Sequence, residues 1–559
     1  MLSHHQVTRR DLVVGLAGAT LCAAAPAAPP QVDRVLVERN DSAVEHFLLN
    51  QVTSQTSPHR GGVPDEFLMH SASAAGSLIE ACSAALVCPQ SRYHNDAATL
   101  LDRIRLAAAF LERSQSPEGN IDLLSTNFNS PPDTGFVVHN VGTAAALGKQ
   151  YGNQELVRAL RPFLVKAAAG MATGGIHTPN HRWVVSSALA QVNEVFPDPS
   201  YLKRIEQWLA EGIDIDEDGQ FIERSTVTYN TVCDRALTVL AAKLNRPALL
   251  DAVRRNLNAM LYLIHPDGEV VTEVSRRQDQ FTRGTMAGYW FPTAYLAAHD
   301  RDGAMSALLR VIPPESARLS TLLEYPELAG PMPDPKPLPE DYEKQFPLLS
   351  LARIRRGRRD ATLVLAESSR FFSARNGGAV INAVRFATSF FGKGQFMAQT
   401  SAKAGASYVL RQSLEAPYYQ PLSPPQKVDA KNWAALRAKR RQTQICGLEQ
   451  VATITERDWG FHLRIESSGT PGVPLAVEIS LREGGKLEGC RPAPRAPDCW
   501  ILERDYATYT VGNDALRIGP GTAPHLSTQL RGAEPKLPGT SVYITGFTPF
   551  DRSLEIRWS

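Results

Sequence analysis

Four polar clusters in the first half of the chain set chemistry-capable side chains at nearly equal intervals. Asp133–Asn140 carries His139 and Asn140, Thr173–Trp183 carries Asn180, His181 and Arg182, Asp218–Tyr229 carries Glu223 and Tyr229, and Asp267–Arg277 carries Arg276. His139, His181, Tyr229 and Arg276 are spaced by 42, 48 and 47 residues. An interval of that size is one helical hairpin with its loops, so a repeated supersecondary unit is expected. If alternate helices start at the same end of the domain, an amide, imidazoles, a phenol and a guanidinium converge on one face.

Those groups suit one chemistry in particular: removing the proton at C5 of a uronic acid and expelling the oxygen on C4. Proton loss piles a second negative charge beside the sugar carboxylate, so neutralising that carboxylate is the essential electrostatic step. A base at C5 and an acid at O4 complete the requirement, with no redox cofactor. Asn180 and His181 can donate to the carboxylate, and Arg182 adds charge. Tyr229 can pass a proton to the leaving oxygen, and acts as a base if nearby positive charge lowers its pKa. The competing structural reading makes Asn180 a helix N-cap, His181 an ordinary buried or capping histidine, and Tyr229 a core aromatic. Ser225-Thr226 and the Asp218-Gly219 turn ahead of Tyr229 favour the chemical reading.

The elements that must hold these residues fall into two blocks. Residues 29–312 read as helical. Leu100, Leu101, Ile104, Ala107, Phe110 and Leu111 form a stripe between charged positions, and similar segments recur to Val311. About ten helices in antiparallel hairpins imply a closed α/α toroid or an open solenoid. Residues 313–347 are rich in proline and read as a stiff linker. Residues 348–559 carry short β-rich runs, such as Ala361–Ala366 and Leu475–Leu481, that imply an antiparallel β-sandwich.

Residues 1–28 read as an export signal. Arg9-Arg10 precede an apolar run from Leu12 to Ala25, with small residues for cleavage at Ala23–Ala25. The arginine pair favours the twin-arginine route and a periplasmic or secreted destination, and the run is too short for a membrane span. A formal charge of +2 over 559 residues gives no argument for nucleic acid. The sequence sets no oligomeric state. Basic clusters at Arg353–Arg359 and Lys427–Arg441 could hold an anionic polymer or be solvated faces. Once Cys22 is removed, Cys82/Cys88 and Cys490/Cys499 are close enough in sequence to pair, and no zinc-like spacing appears.

The adjacent Asn180-His181, followed some fifty residues later by Asp-Gly-x-x-x-Glu-x-Ser-x-x-x-Tyr ending at Tyr229, resembles the heparinase II/III-like polysaccharide lyases. That resemblance implies an incomplete (α/α) toroid followed by a β-sandwich, acting on an anionic polysaccharide or oligosaccharide. It implies that Asn180 neutralises the carboxylate and that Tyr229 is the acid and a candidate base. His181 or His139 is then the other proton-transfer or carboxylate-binding partner, and Glu223 orients its neighbours. No cofactor is required, although the β-domain has room for a structural divalent cation. Asn127, Asn140, Arg182 and Arg276 are expected at the substrate, as are Arg375 and Lys393 on β-domain loops. Two other classes compete. An inverting glycoside hydrolase would draw two carboxylates from Asp133, Asp218, Glu223, Asp267, Glu273 and Asp279. A non-catalytic glycan-binding protein would only cradle the polymer.

Overall fold

The computed structural model describes residues 28–559, so the expected export signal lies outside the described residues except for its last position. The first block contains α1 (Arg34–Asn50), α2 (Ala72–Val87), α3 (Ala97–Ser114), α4 (Pro131–Gln150), α5 (Gln154–Thr173) and α6 (His181–Val195). It continues through α7 (Pro199–Leu209), α8 (Tyr229–Leu244), α9 (Leu250–Met260), α10 (Trp290–His299) and α11 (Gly303–Leu309). The even-numbered helices α2, α4, α6, α8 and α10 pack each on the next as an inner row, while α3, α5 and α7 form part of an outer row. Position explains composition. The inner α2 is covered on nearly every side and is built of Ala, Gly, Ser and Leu, whereas the outer α3 buries only its Leu100–Leu111 stripe.

The ring is incomplete between α10 and α2, and its gap is occupied by the segment read in sequence as a linker. Leu319–Glu324 forms a helix, α12, packed on α2 and α4. Leu319, Leu322, Leu323, Tyr325 and Leu328 share a buried cluster with residues of α1 and α2. The prolines stop a long helix, but the apolar residues between them give a short one something to pack on.

The second block is two sheets packed face to face around one core. One sheet runs from Arg491–Pro492 at one edge to Asp341–Phe346 at the other; its second sheet runs from Lys486–Glu488 to Thr400–Ala404. Pairing is antiparallel except where Cys499–Ile501 lies parallel to Ser541–Phe547. The sequence-derived order, an incomplete toroid followed by an antiparallel sandwich, is the observed one.

The two blocks share apolar core and charge. Phe346, Leu349 and Leu351 belong to the core cluster of the helical ring. Arg353, whose basic cluster offered either a polymer contact or a solvated face, is neither: it is fully buried between the blocks. It pairs with Asp360 at 2.6 Å and donates to the Tyr262 carbonyl at 3.3 Å, while His265 contacts the same Asp360 oxygen at 2.6 Å. The Lys427–Arg441 cluster sits in an exposed excursion between two long strands. All six described cysteines are unpaired. Cys82 lies within α2 and Cys88 caps its end, six positions on and on a different face. Across the Arg491–Pro492 hairpin, Cys499 lies opposite Ala493 rather than Cys490.

Candidate active site

Asn180, His181, Glu223 and Tyr229 are brought together at the starts of α6 and α8. The Glu223 loop depends on a tight turn. Asp216 exchanges backbone hydrogen bonds with Gln220 and Gly219, and Gly219 adopts φ +80°, where a β-carbon would lie 2.7 Å from the Arg255 carbonyl oxygen. Beyond that turn Glu223 reaches across to α6. Its Oε1 accepts from the Asn180 backbone N at 2.9 Å and from Asn180 Nδ2 at 2.6 Å. Asn180 is 1% exposed and makes no side-chain capping bond to α6, so the N-cap reading of the sequence is replaced by a cross-loop clamp.

A second clamp sets Tyr229. Asp279 accepts from Ser225 Oγ, Ser275 Oγ and Val227 N, each at 3.0 Å. Ser225 Oγ in turn accepts from Tyr229 N at 3.0 Å. Tyr289, fully buried, donates to the Thr226 carbonyl. The Tyr229 hydroxyl accepts from Gln278 Nε2 at 3.1 Å, and the Arg277 guanidinium lies 5.1 Å from the Tyr229 ring centroid. Arg277 Nε also stands 3.7 Å from Glu223 Oε2. The chain of contacts Asn180–Glu223–Arg277–Tyr229 is therefore continuous.

His181 joins the same group through its neighbours. Its ring is edge-on to His177 at 4.7 Å and to Phe136 at 6.3 Å. Burial, reinforced by His177 and Arg277 against the opposing pull of Asp133, lowers its pKa to about 4, so it is neutral at pH 7. Asn180 Oδ1, His181 Nδ1 and Glu223 Oε2 are buried atoms with no hydrogen-bond partner among the described residues. Three such atoms on adjoining side chains mark a place where polar groups wait for one. An open cleft of about 610 Å3, lined by Asn127, Phe128 and His177 among others, adjoins the cluster.

Other expected residues lie elsewhere. The Asp133–Asn140 cluster is not a junction: Ser130 caps α4 and Pro131-Pro132 occupy its first turn, so the helix has begun before His139. His139 is buried between α4 and α6, with Nε2 3.0 Å from Ser187 Oγ and 3.3 Å from the Val184 carbonyl. Asn140 donates to Ser77 Oγ at 3.4 Å, against α2. Arg182 pairs with Asp214 at 2.8 Å and Glu211 at 3.2 Å and stacks on Trp183, which makes it a structural cation. Asn127, by contrast, does line the open cleft, from a hairpin strand, and donates to Asp133 Oδ2 at 2.9 Å. Arg276 is exposed and pairs with Glu367 of the β-domain at 2.7 Å. Arg375 is turned into the domain interface, against Glu269 at 2.7 Å. Lys393 bonds the Glu415 carbonyl on an exposed turn of the sandwich.

Sequence reasoning gave no role to Arg277 or His177. Both stand within the polar runs, and Arg277 directly follows Arg276. What the spacing could not tell was which of two consecutive arginines turns inward. Among the described residues no group of three or more His, Cys, Asp or Glu side chains is placed to hold a metal ion.

His139 tests the distinction between structure and chemistry. Replacing it by Ala removes two buried hydrogen bonds and leaves a cavity, an expected cost of about 2–4 kcal/mol, with kcat below the lowered melting point nearly unchanged. Burial first, and the Arg235 charge second, lower the His139 pKa to about 3. The unfolded chain then binds more protons than the folded one between pH 6.5 and 3, so stability drops as pH falls through that window. The variant should show a shallower acid-side fall in melting temperature. Lost turnover with an unchanged melting point would return His139 to the chemistry.

The fold is that of solved polysaccharide lyases. A Streptomyces coelicolor A3 chondroitin AC lyase in complex with chondroitin sulphate matches at 14% identity and a TM-score of 0.58, over 94% of this chain and 79% of that one. A Paenibacillus xanthan lyase matches at 10% identity and 0.59, over 94% of this chain and 57% of that one. A heparan sulfate lyase HepC mutant from Pedobacter heparinus matches at 12% identity and 0.52, over 95% and 84%. At such identities the likeness is one of fold. No protein-family model matches the sequence, and no curated protein matches it.

Proposed function

We propose that this chain is an exported lyase that cleaves a uronic-acid-containing glycan by β-elimination. The observation that carries the reading is the Asn180–Glu223–Arg277–Tyr229 contact chain, with neutral His181 beside it. Arg277 supplies the formal positive charge for the sugar carboxylate. Asn180 supplies an oriented N–H: Glu223 holds one amide hydrogen, and the other makes only a long bond to Thr178 Oγ1 at 3.2 Å. Asn180 Oδ1 is left to accept from a sugar hydroxyl. His181 takes the C5 proton, and the arriving carboxylate raises its basicity. The electron pair of the C5–H bond becomes the C4=C5 double bond as the C4–O4 bond breaks. Tyr229 delivers its proton to O4, the proton on His181 returns to solvent, and the tyrosinate takes a proton back from solvent. Nothing is oxidised or reduced.

The carboxylates weigh against inverting hydrolysis. Asp279 is saturated by three donors, Asp133 is held by Ser130 and Asn127, and Glu223 is held by Asn180. Asp218 accepts from Leu349 N, Asp267 pairs with Arg375, and Glu273 accepts from Ser373. Each is committed to at least one protein donor, and the cluster beside Tyr229 offers amide, imidazole and guanidinium groups in place of a second free acid. Export rests on the Arg9-Arg10 pair and the apolar run behind it.

Incubation with a panel of uronate polysaccharides should generate a new ultraviolet absorbance from the conjugated double bond. For the active polymer, kcat/KM should hold on the acid side until pH drops through about 4, where His181 of the free enzyme takes a proton. Reducing ends without absorbance would mean hydrolysis. Binding without either would mean a glycan-binding protein.

A further inference from the structure

Beneath the proposed site the ring is hollow. A cavity of about 360 Å3 is lined by Thr143 of α4, Gln191 of α6, Arg235 of α8, Trp290 and Phe291 of α10, and Glu324 of α12. Its upper rim lies close to the chemistry. Gly288 packs so tightly on Thr231, two residues past Tyr229, that a β-carbon there would come within 2.8 Å. Its floor lies deeper: Gln191 is ten positions beyond His181 on the same helix, about 15 Å along its axis. Thr143, Gln191 and Glu324 are all buried, so the floor is closed.

The hollow contains a cation without a counter-ion. Arg235 faces the cavity and keeps some accessible surface there, yet it makes no ion pair among the described residues. The carboxylates nearest to it are already engaged. Glu324 pairs with Lys243 at 2.7 Å and accepts from Thr143 at 2.7 Å, while Glu80 pairs with Arg318 at 3.1 Å and accepts from Ser320 at 2.6 Å. The remaining acid, Glu315, is exposed at the rim. An unpaired guanidinium held this deep is costly, and an anionic ligand would relieve the cost. Beside it, Gln191 donates to Thr143 Oγ1 at 3.2 Å and leaves its own buried Oε1 without a partner among the described residues. Trp290 and Phe291 add aromatic surface to the wall, which suits the C–H side of a sugar.

We infer that this pit receives the carboxylate-bearing terminal sugar of the substrate, with Arg235 as its counter-ion, so that the enzyme works from glycan ends. A blind pocket at the small end of the ligand-binding range admits an end and not a through-running chain. The statement about cleavage rests on the elimination reading; the statement about the ligand does not.

The pit is tested by calorimetric titration of the full chain with D-glucuronate, D-galacturonate and D-mannuronate, and with neutral D-glucose as the control. At least one uronate should bind, equally well to wild type and to Tyr229→Phe, and about tenfold or more weaker to Arg235→Leu, as expected for loss of a charge-assisted pair. Gln191→Leu, which leaves the cation in place, should weaken it severalfold and carries the test if Arg235→Leu does not fold. Absence of uronate binding, binding unchanged in these variants, or equal binding of D-glucose would overturn the pit.

The end-directed action is tested on the polymer that yields ultraviolet absorbance. Viscosity should fall only in proportion to absorbance, with one short product from the first minutes. An early collapse of viscosity would overturn end-directed action. If no polymer yields absorbance, the elimination reading fails together with end-directed action, and the titrations still decide the ligand.

Discussion

Tyr229→Phe should lower kcat by about a hundredfold to ten-thousandfold, the range that a positioned general acid contributes. The substitution is nearly silent in structure. The ring keeps its place at the start of α8 because the backbone, through Tyr229 N and Ser225 Oγ, does the positioning. The Arg277 guanidinium still has a ring to lie over. What is lost is one hydroxyl and its bond from Gln278. A half-buried hydroxyl with one partner is worth about 1 kcal/mol or less, so the melting temperature should barely move. Turnover and thermal unfolding measured on the same sample separate the two effects. Product formation within a few fold of wild type would remove Tyr229 from the reaction, and the elimination mechanism with it.

Asn180→Ala should reduce kcat by roughly a hundredfold to a thousandfold, the loss seen when a donor to developing negative charge is deleted. This variant does carry a structural cost. Glu223 Oε1 keeps its bond from the Asn180 backbone N but loses the shorter one from Nδ2. Weakening a buried charge-assisted bond costs about 1.5–3 kcal/mol, so kinetics must be taken well below the lowered melting point. The diagnostic is the division between parameters. A donor that acts on charge appearing only at the transition state lowers kcat with little change in KM. A merely disordered loop raises KM as well. A fall in melting temperature with normal kcat would make Asn180 a clamp for Glu223 and nothing more.

The order of blocks could be read from the sequence because each has a strong period: helical stripes such as Leu100–Leu111, then alternating β-runs such as Leu475–Leu481. The tighter half of the site was readable too. Asn180, Glu223 and Tyr229 sit next to glycine turns and helix starts, and local chemistry fixes those points. Reading failed where a helix began earlier than its polar cluster suggested. Pro131-Pro132 open α4, and so His139 falls inside that helix with its ring in the core. It failed again for charges whose partners are remote in sequence. Nothing near Arg353, Arg375 or Arg182 announces Asp360, Glu269 or Asp214 as destinations, and an arginine without its partner in view reads as an arginine for substrate. The pit around Arg235 is the converse case, for its meaning lies in the partner it lacks.

The seam between the two blocks limits how substrate gets in. Arg353 and His265 share Asp360 in a fully buried cluster, and Glu269 is gripped by both Arg375 and Arg482. Prising the sandwich away from the ring would part His265 from Asp360 and Glu269 from both Arg375 and Arg482, and would bare the apolar Phe346, Leu349 and Leu351 to water. Jaw-like opening about that seam is therefore a poor route for a bulky glycan. Whatever yields must be smaller and nearer the mouth: the exposed Arg276–Glu367 tie and the side chains of Arg277 and Gln278, which can swing without disturbing the frame that carries them.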